Sequence, residues 1–230
     1  MQFDARLLPS KDQLRRIMPI VDKFIPSPLS NTKEFKLFLS TTKKAKIIYT
    51  QISKLYAKVS IAGRLRREDP DAEEVVFLVD GDPRIAGMYL DTGSVSQKGE
   101  GRVIGTYQGT RVSVHQGSAS NWGAMLLYLT GPEEFSMAVR SRAKHQFEMK
   151  LSQYGLFDKD GKLIAAKTEK AIFQALKLPY YSPKVRGDTK IANDYLESKG
   201  IKKEELHDKY KKPVINFFKT PTARGGDNIK

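Results

Sequence analysis

Residues 59–79, VSIAGRLRREDPDAEEVVFLV, constrain this chain more than any other stretch. Val59 and Ile61 are β-branched and two apart, the spacing of one face of a strand. Gly63 then breaks the run, and Arg64, Arg66 and Arg67 follow it. After an acidic loop, the unbroken apolar run from Val75 to Val79 predicts a second strand. The order is strand, turn, strand. The turn suits a phosphate, because glycine permits close backbone approach and arginine offers a planar fork of donors.

Around this unit the periodicity predicts further elements. Ser10-Lys11-Asp12-Gln13 has the capping-box pattern and opens a helix that Pro19 kinks or shortens, and the closely spaced Pro26 and Pro28 make residues 25–31 a connector. Over residues 43–58, Ala45, Ile48, Ile52, Leu55 and Tyr56 form one apolar stripe with lysines largely off it, which predicts a basic amphipathic helix leading into the Val59 strand. Residues 73–79, 84–90, 103–107 and 110–114 read as extended, with glycines between them. Beyond Asn121 the pattern turns helical, with Phe135, Ala138, Val139 and Ala143 on one face. Asp158 to Gly161 predicts a hairpin-type turn, residues 168–178 a helix opened by Thr168, and Ile191, Ala192, Tyr195 and Leu196 a helix stopped by Gly200.

Composition narrows the function classes. A chain of 230 residues can bury a proper core in one domain or two small ones. A formal charge of +14 favours a polyanionic partner, nucleic acid first, because each neutralised phosphate releases condensed counterions. With no cysteine and only three histidines, a disulfide framework, a thiol nucleophile and a zinc site of the usual ligand types are not expected. No run approaches the ~20 apolar residues that span a bilayer, and no signal peptide is visible, so an intracellular location and no membrane partner are expected.

A second block, residues 126–157 (LLYLTGPEEFSMAVRSRAKHQFEMKLSQYGLF), follows at a fixed distance, with the strand Arg111-Val112-Ser113-Val114 between the two. In order and separation these blocks resemble the family X DNA polymerases, the polymerase beta relatives within the nucleotidyltransferase superfamily. The resemblance implies an α+β fold, with a nucleotidyltransferase-type palm of mixed β-sheet and helices followed by a small α/β thumb. It implies a palm (43–127) and a thumb (128–186), and the residues on either side read as a helical extension (1–42) and a C-terminal helix with a flexible tail (187–230).

The resemblance also implies roles. Gly63 and Arg67 match the family's triphosphate-holding turn, where Arg64 replaces a small hydroxyl residue and either fills the pocket or binds a phosphate itself. The family's three metal-binding aspartates fall on Glu74, Val76 and Ser113. A pair of Mg²⁺ ions needs several anionic oxygens, which this trio lacks. The cluster of Asp69, Asp71, Glu73 and Glu74, or Asp80 with Asp82, is the candidate for a relocated site. Tyr128, Thr130 and Gly131 match the hinge beside the nucleotide sugar, and Gly131-Pro132 is a candidate cis peptide. Arg66, Arg102, Arg111, Arg140, Arg142 and Lys144 are the expected DNA-facing cations, and Ser136 stands where the family has an asparagine that reads the incoming base.

Near the end, Lys211-x-x-Val214-x-x-Phe217-Phe218 resembles the peptide by which replication proteins hook onto sliding clamps. Its other reading is an apolar knot that docks on the chain's own core. These features together lead to the expectation of a catalytically inactive, polymerase-X-like DNA-binding accessory protein of replication or repair, viral by its compactness. It would need no cofactor and would be tethered through Val214, Phe217 and Phe218 to a sliding clamp or replicative polymerase. The alternative is a divergent, active nucleotidyltransferase that uses Mg²⁺.

Overall fold

The structure, a computed structural model, describes residues 33–91, 95–97 and 101–201. The expected Ser10 capping box, the proline connector and the Val214, Phe217 and Phe218 motif lie outside these residues. The chain builds two adjoining units, each with its own buried core.

In the first unit, helix α1 (Lys33–Ile52) precedes strand β1 (Val59–Ala62), the one-turn helix α2 (Gly63–Arg67) and strand β2 (Glu74–Val79). Helix α3 (Pro83–Ala86) and a 3-10 turn (Gly87–Tyr89) come next, then β3 (Ser96–Gln97), β4 (Arg102–Tyr107) and β5 (Thr110–Gln116). The five strands form one mixed sheet in the order β1-β2-β5-β4-β3, in which β2 and β5 run parallel and the other neighbours antiparallel. Alternation along the strands gives the sheet two different faces. Val75, Phe77, Val79, Val112 and Val114 point to one side and pack on Ala45, Ile48 and Ile52 of α1. A fully buried side chain of this kind contributes about 1.5–3 kcal/mol, so this face anchors the sheet.

Two sequence expectations change here. The amphipathic helix stops at Ile52, because the chain turns before entering β1; Leu55 is exposed, whereas Tyr56 stays buried with its hydroxyl donating to the Asp82 carbonyl at 2.7 Å. Residues 84–90, expected to be extended, are α3 and the 3-10 turn. The Asp82 side chain accepts from the Arg84 N–H and Pro83 occupies the first turn, and together they start a helix.

The second unit runs from α4 (Trp122–Thr130) and α5 (Glu133–Phe147) through the antiparallel strands β6 (Lys150–Ser152), β7 (Gly155–Phe157) and β8 (Leu163–Ala165). It continues with α6 (Glu169–Ala175), a 3-10 segment (Pro183–Asp188) and α7 (Lys190–Ser198). Phe135, Val139, Ala143, Leu156, Ile172 and Phe173 fill its core. The Thr168 hydroxyl caps α6 by accepting from the Ala171 N–H, and Gly161 closes the β7–β8 turn at φ +80°. Ala124 and Leu127 of α4, and Ala192 of α7, belong to this second core. The packing therefore extends the second unit beyond both ends of the 128–186 span read from the sequence. The α+β class holds for both units, and no helix among the described residues is long and apolar enough to cross a membrane.

Candidate functional site

The sheet face away from α1 carries the polar positions. Register pairs Val76 with Ser113 and Glu74 with Arg111 across β2 and β5, and Ile104 with Ser113 and Arg102 with His115 across β5 and β4. Directly paired residues point to the same side, so Glu74, Val76 and Ser113 meet on one face. Val76 and Ser113 are buried, and a Cβ on Gly63 would meet the Val76 Cγ2 at 3.0 Å. Gly63, at φ +67°, thus presses its backbone on the valine, a close approach that only glycine permits. The Glu74 carboxylate lies 3.4 Å from the Arg111 Nε.

These donors do not fit a pair of hard divalent cations. One carboxylate, already facing a guanidinium, is joined by a methyl-bearing side chain and a neutral hydroxyl. Beside Glu74, three of the five candidate replacement acids are engaged elsewhere, and the other two, Glu73 and Asp80, are exposed. Asp69 accepts from Arg67 at 3.0 Å and lies 3.7 Å from Arg64, Asp71 is 4.0 Å from Arg64, and Asp82 accepts from the Arg84 Nε at 2.7 Å. Among the described residues, no three histidine or acidic side chains cluster as metal ligands.

The arginine turn faces inward. Arg67 donates through Nη1 to the Thr130 carbonyl and through Nη2 to Asp69. Burial lowers its pKa, although Asp69 works against that shift. Arg64 donates to the Asp71 carbonyl at 3.3 Å. Arg66 donates to the Thr130 hydroxyl at 2.7 Å and forms a two-pronged pair with Glu169, at 2.9 and 2.7 Å. The Glu169 carboxylate, 6% exposed, also faces the Arg186 Nη1 at 3.0 Å, and Arg186 is fully buried. Burial alone would raise the Glu169 pKa; the Arg66 hydrogen bonds and the Arg186 charge outweigh it and hold the carboxyl below its ordinary range. Thr130 in turn donates to the Leu126 carbonyl at 2.6 Å. Turn, hinge and α6 are thereby clasped together at Thr130 and Glu169.

Arg66 therefore corrects an expectation: its guanidinium is spent on Glu169 and Thr130 rather than turned outward. Arg142 is a second correction, since its Nε donates to the Leu176 carbonyl and its guanidinium lies over Phe147. Arg111, 58% exposed, Arg140 and Lys144 do face solvent. Arg140 and Lys144 are four apart on α5 and so share a face, and the Arg140 guanidinium lies 5.4 Å from the ring centroid of Tyr128. Arg102 is half-buried, and its Nε has no hydrogen-bond partner among the described residues. It faces His115, whose pKa burial and then the Arg102 charge push down to about 4. Gly131 has φ +61°, and the Gly131–Pro132 peptide is cis.

The sequence reading did not single out Glu169 and Arg186, the residues that fix the clasp. No local signal points to them, because Glu169 lies 103 positions from Arg66. No curated protein matches the chain. The family model described as DNA polymerase beta thumb matches residues 125–187, and this supports a family X polymerase-like relationship for the unit that holds the hinge, Arg140 and the Glu169 clasp.

Proposed function

We propose that the chain is a polymerase-X-like, DNA-binding accessory protein whose palm-like unit does not transfer nucleotides. One observation carries this reading: Val76 and Ser113 stand as register partners on the face where the resemblance calls for carboxylates, and Glu74, the third position, faces Arg111. In-line transfer between two cations needs bridging carboxylates, which this face does not supply. The thumb match and the exposed Arg111, Arg140 and Lys144 support DNA as the partner, with phosphate contacts dominating the affinity. Residues 43–127 act as the palm and the matched segment as the thumb. The tail motif of Val214, Phe217 and Phe218 serves as a tether to a clamp or replicative polymerase; its sequence pattern alone supports that part.

The test is primer extension on gapped DNA with Mg²⁺ and then Mn²⁺, beside Glu74→Gln. The expected result is DNA binding without incorporation. Incorporation that Glu74→Gln abolishes would replace this reading with an active, divergent nucleotidyltransferase. For the tether, Phe217→Ala with Phe218→Ala is expected to abolish clamp or polymerase pull-down while DNA binding persists, and an unchanged pull-down refutes it.

A further inference from the structure

A cleft of about 360 Å³ opens where the two units meet, and the site above makes no use of it. Lys58, just before β1, contributes one wall; Lys167 and Lys170 flank the start of α6; Trp122, Gly123, Leu126 and Tyr180 line it as well. None of the three lysines forms an ion pair among the described residues, and all three are exposed. The Lys58 ammonium sits 4.3 Å from the centroid of Trp122. Glu169 also reaches the cleft, but Arg66 and Arg186 already neutralise its carboxylate. The rim therefore presents three positive charges with no unpaired negative one among its lining residues.

The shape is fixed as well as the charge. The backbone of Thr168 would come within 2.2 Å of a Cβ on Gly123, so glycine is what lets α4 and the α6 cap approach so closely. The Gly123 N–H donates to the Lys167 carbonyl at 3.1 Å and ties the two sides together. Tyr180 is held edge-on to Phe173, with ring centroids 5.7 Å apart, and is half exposed. An oriented aromatic ring in a cleft lined by three exposed lysines matches a planar base carrying a phosphate.

We propose that this cleft binds a nucleoside phosphate, either free or as the phosphorylated end of a strand, with Lys58, Lys167 and Lys170 on the phosphate and Tyr180 against the base. The assignment rests on the cleft's own chemistry and stands apart from the DNA-facing cations of the sheet and α5.

Trp122 is the only tryptophan of the chain, so its fluorescence reports from this cleft alone. The full chain is titrated with AMP, adenosine, inorganic phosphate and a 5′-phosphorylated single-stranded tetranucleotide. Saturable change is expected with AMP or the tetranucleotide, whichever is the tighter identifying the source, and binding about tenfold weaker for adenosine and phosphate. Lys167→Gln with Lys170→Gln, both exposed, is expected to weaken the tighter ligand by about tenfold with the thermal melt unchanged. Duplex DNA affinity, measured by anisotropy, stays at the wild-type value, so failure here is distinguishable from failure of the DNA-binding reading. Absence of a saturable response to both nucleotides, binding that the double lysine change leaves intact, or the tighter of the two nucleotides binding no more tightly than phosphate overturns the proposal.

Discussion

Two sets of cations in this molecule look alike in sequence and behave differently in space. Arg66, Arg67, Arg142 and Arg186 turn inward onto Glu169, Asp69, Thr130 and the Leu176 carbonyl, whereas Arg111, Arg140 and Lys144 stand in solvent. Of the inward set, Arg66 and Arg67 reach Thr130 and Glu169 and build the joint between the units, while Arg142 and Arg186 brace the second unit. Of the outward set, Arg111 faces only the solvated Glu74, and Arg140 and Lys144 form no ion pair among the described residues, so their charge stays available to a polyanion. What separates them is the acceptor within reach. A guanidinium beside a buried carboxylate gains a strong paired bond, whereas an exposed one keeps its charge for a partner.

The sharpest way to break this contrast is at Glu169. Glu169→Ala leaves the fully buried Arg186 without its countercharge and is expected to destabilise the fold by about 3–5 kcal/mol, while Arg140→Ala changes stability by no more than about 0.5 kcal/mol. Urea denaturation of the two variants measures the difference; equal losses would erase the distinction.

A second effect depends on pH. His115 is held neutral, with its pKa lowered from 6.5 to about 4, so the unfolded chain takes up its proton first as the pH falls. The stability His115 contributes is complete above pH 6.5 and drains away down to about pH 4, by about 3 kcal/mol. His115→Gln removes this slope. The depressed carboxyl of Glu169 acts in a different window, with its contribution lost only as the pH falls below the usual carboxylate range near 4.5. Chemical denaturation at pH 7, 5.5 and 4 separates the two.

The smallest expected effect sharpens the contrast by converting one class into the other. Asp69 places one carboxylate oxygen 3.0 Å from Arg67 and 3.7 Å from Arg64, in the position of an internal anion for the turn. Asp69→Asn costs about 1 kcal/mol of stability and frees the turn for outside phosphate, raising affinity for pyrophosphate by about fivefold. Calorimetric titration of wild type and variant with pyrophosphate reads this directly, and equal affinities would contradict it.

How much of this was legible beforehand follows the range of the interactions. The strands around Val59, Val75, Val103 and Thr110, the α5 face of Phe135, Ala138, Val139 and Ala143, and the Thr168 cap are set by period and local capping, and the structure has them where the sequence put them. The helix at Pro83 was missed although Asp82-Pro83 announces it, because the apolar residues of 84–90 resembled a strand. Side-chain alternation put Glu74 and Val76 on one face, whereas only the family resemblance pointed to Ser113, which the parallel pairing of β2 with β5 brings beside them. The inward fate of Arg66 and Arg142 could not be read, since their acceptors Thr130, Glu169 and Leu176 lie 34 to 103 positions away.

The contrast between the two cation sets is tested most directly by the salt dependence of duplex DNA binding. The measurement compares wild type with a chain carrying Arg111→Ala, Arg140→Ala and Lys144→Ala, by fluorescence anisotropy from low to moderate salt. Each lost phosphate contact removes about 0.9 from the slope of log affinity against log salt, so the triple change is expected to flatten it by nearly 3 while the melt stays at the wild-type value. An unchanged slope would mean that these exposed cations do not meet the DNA, and would contradict the account.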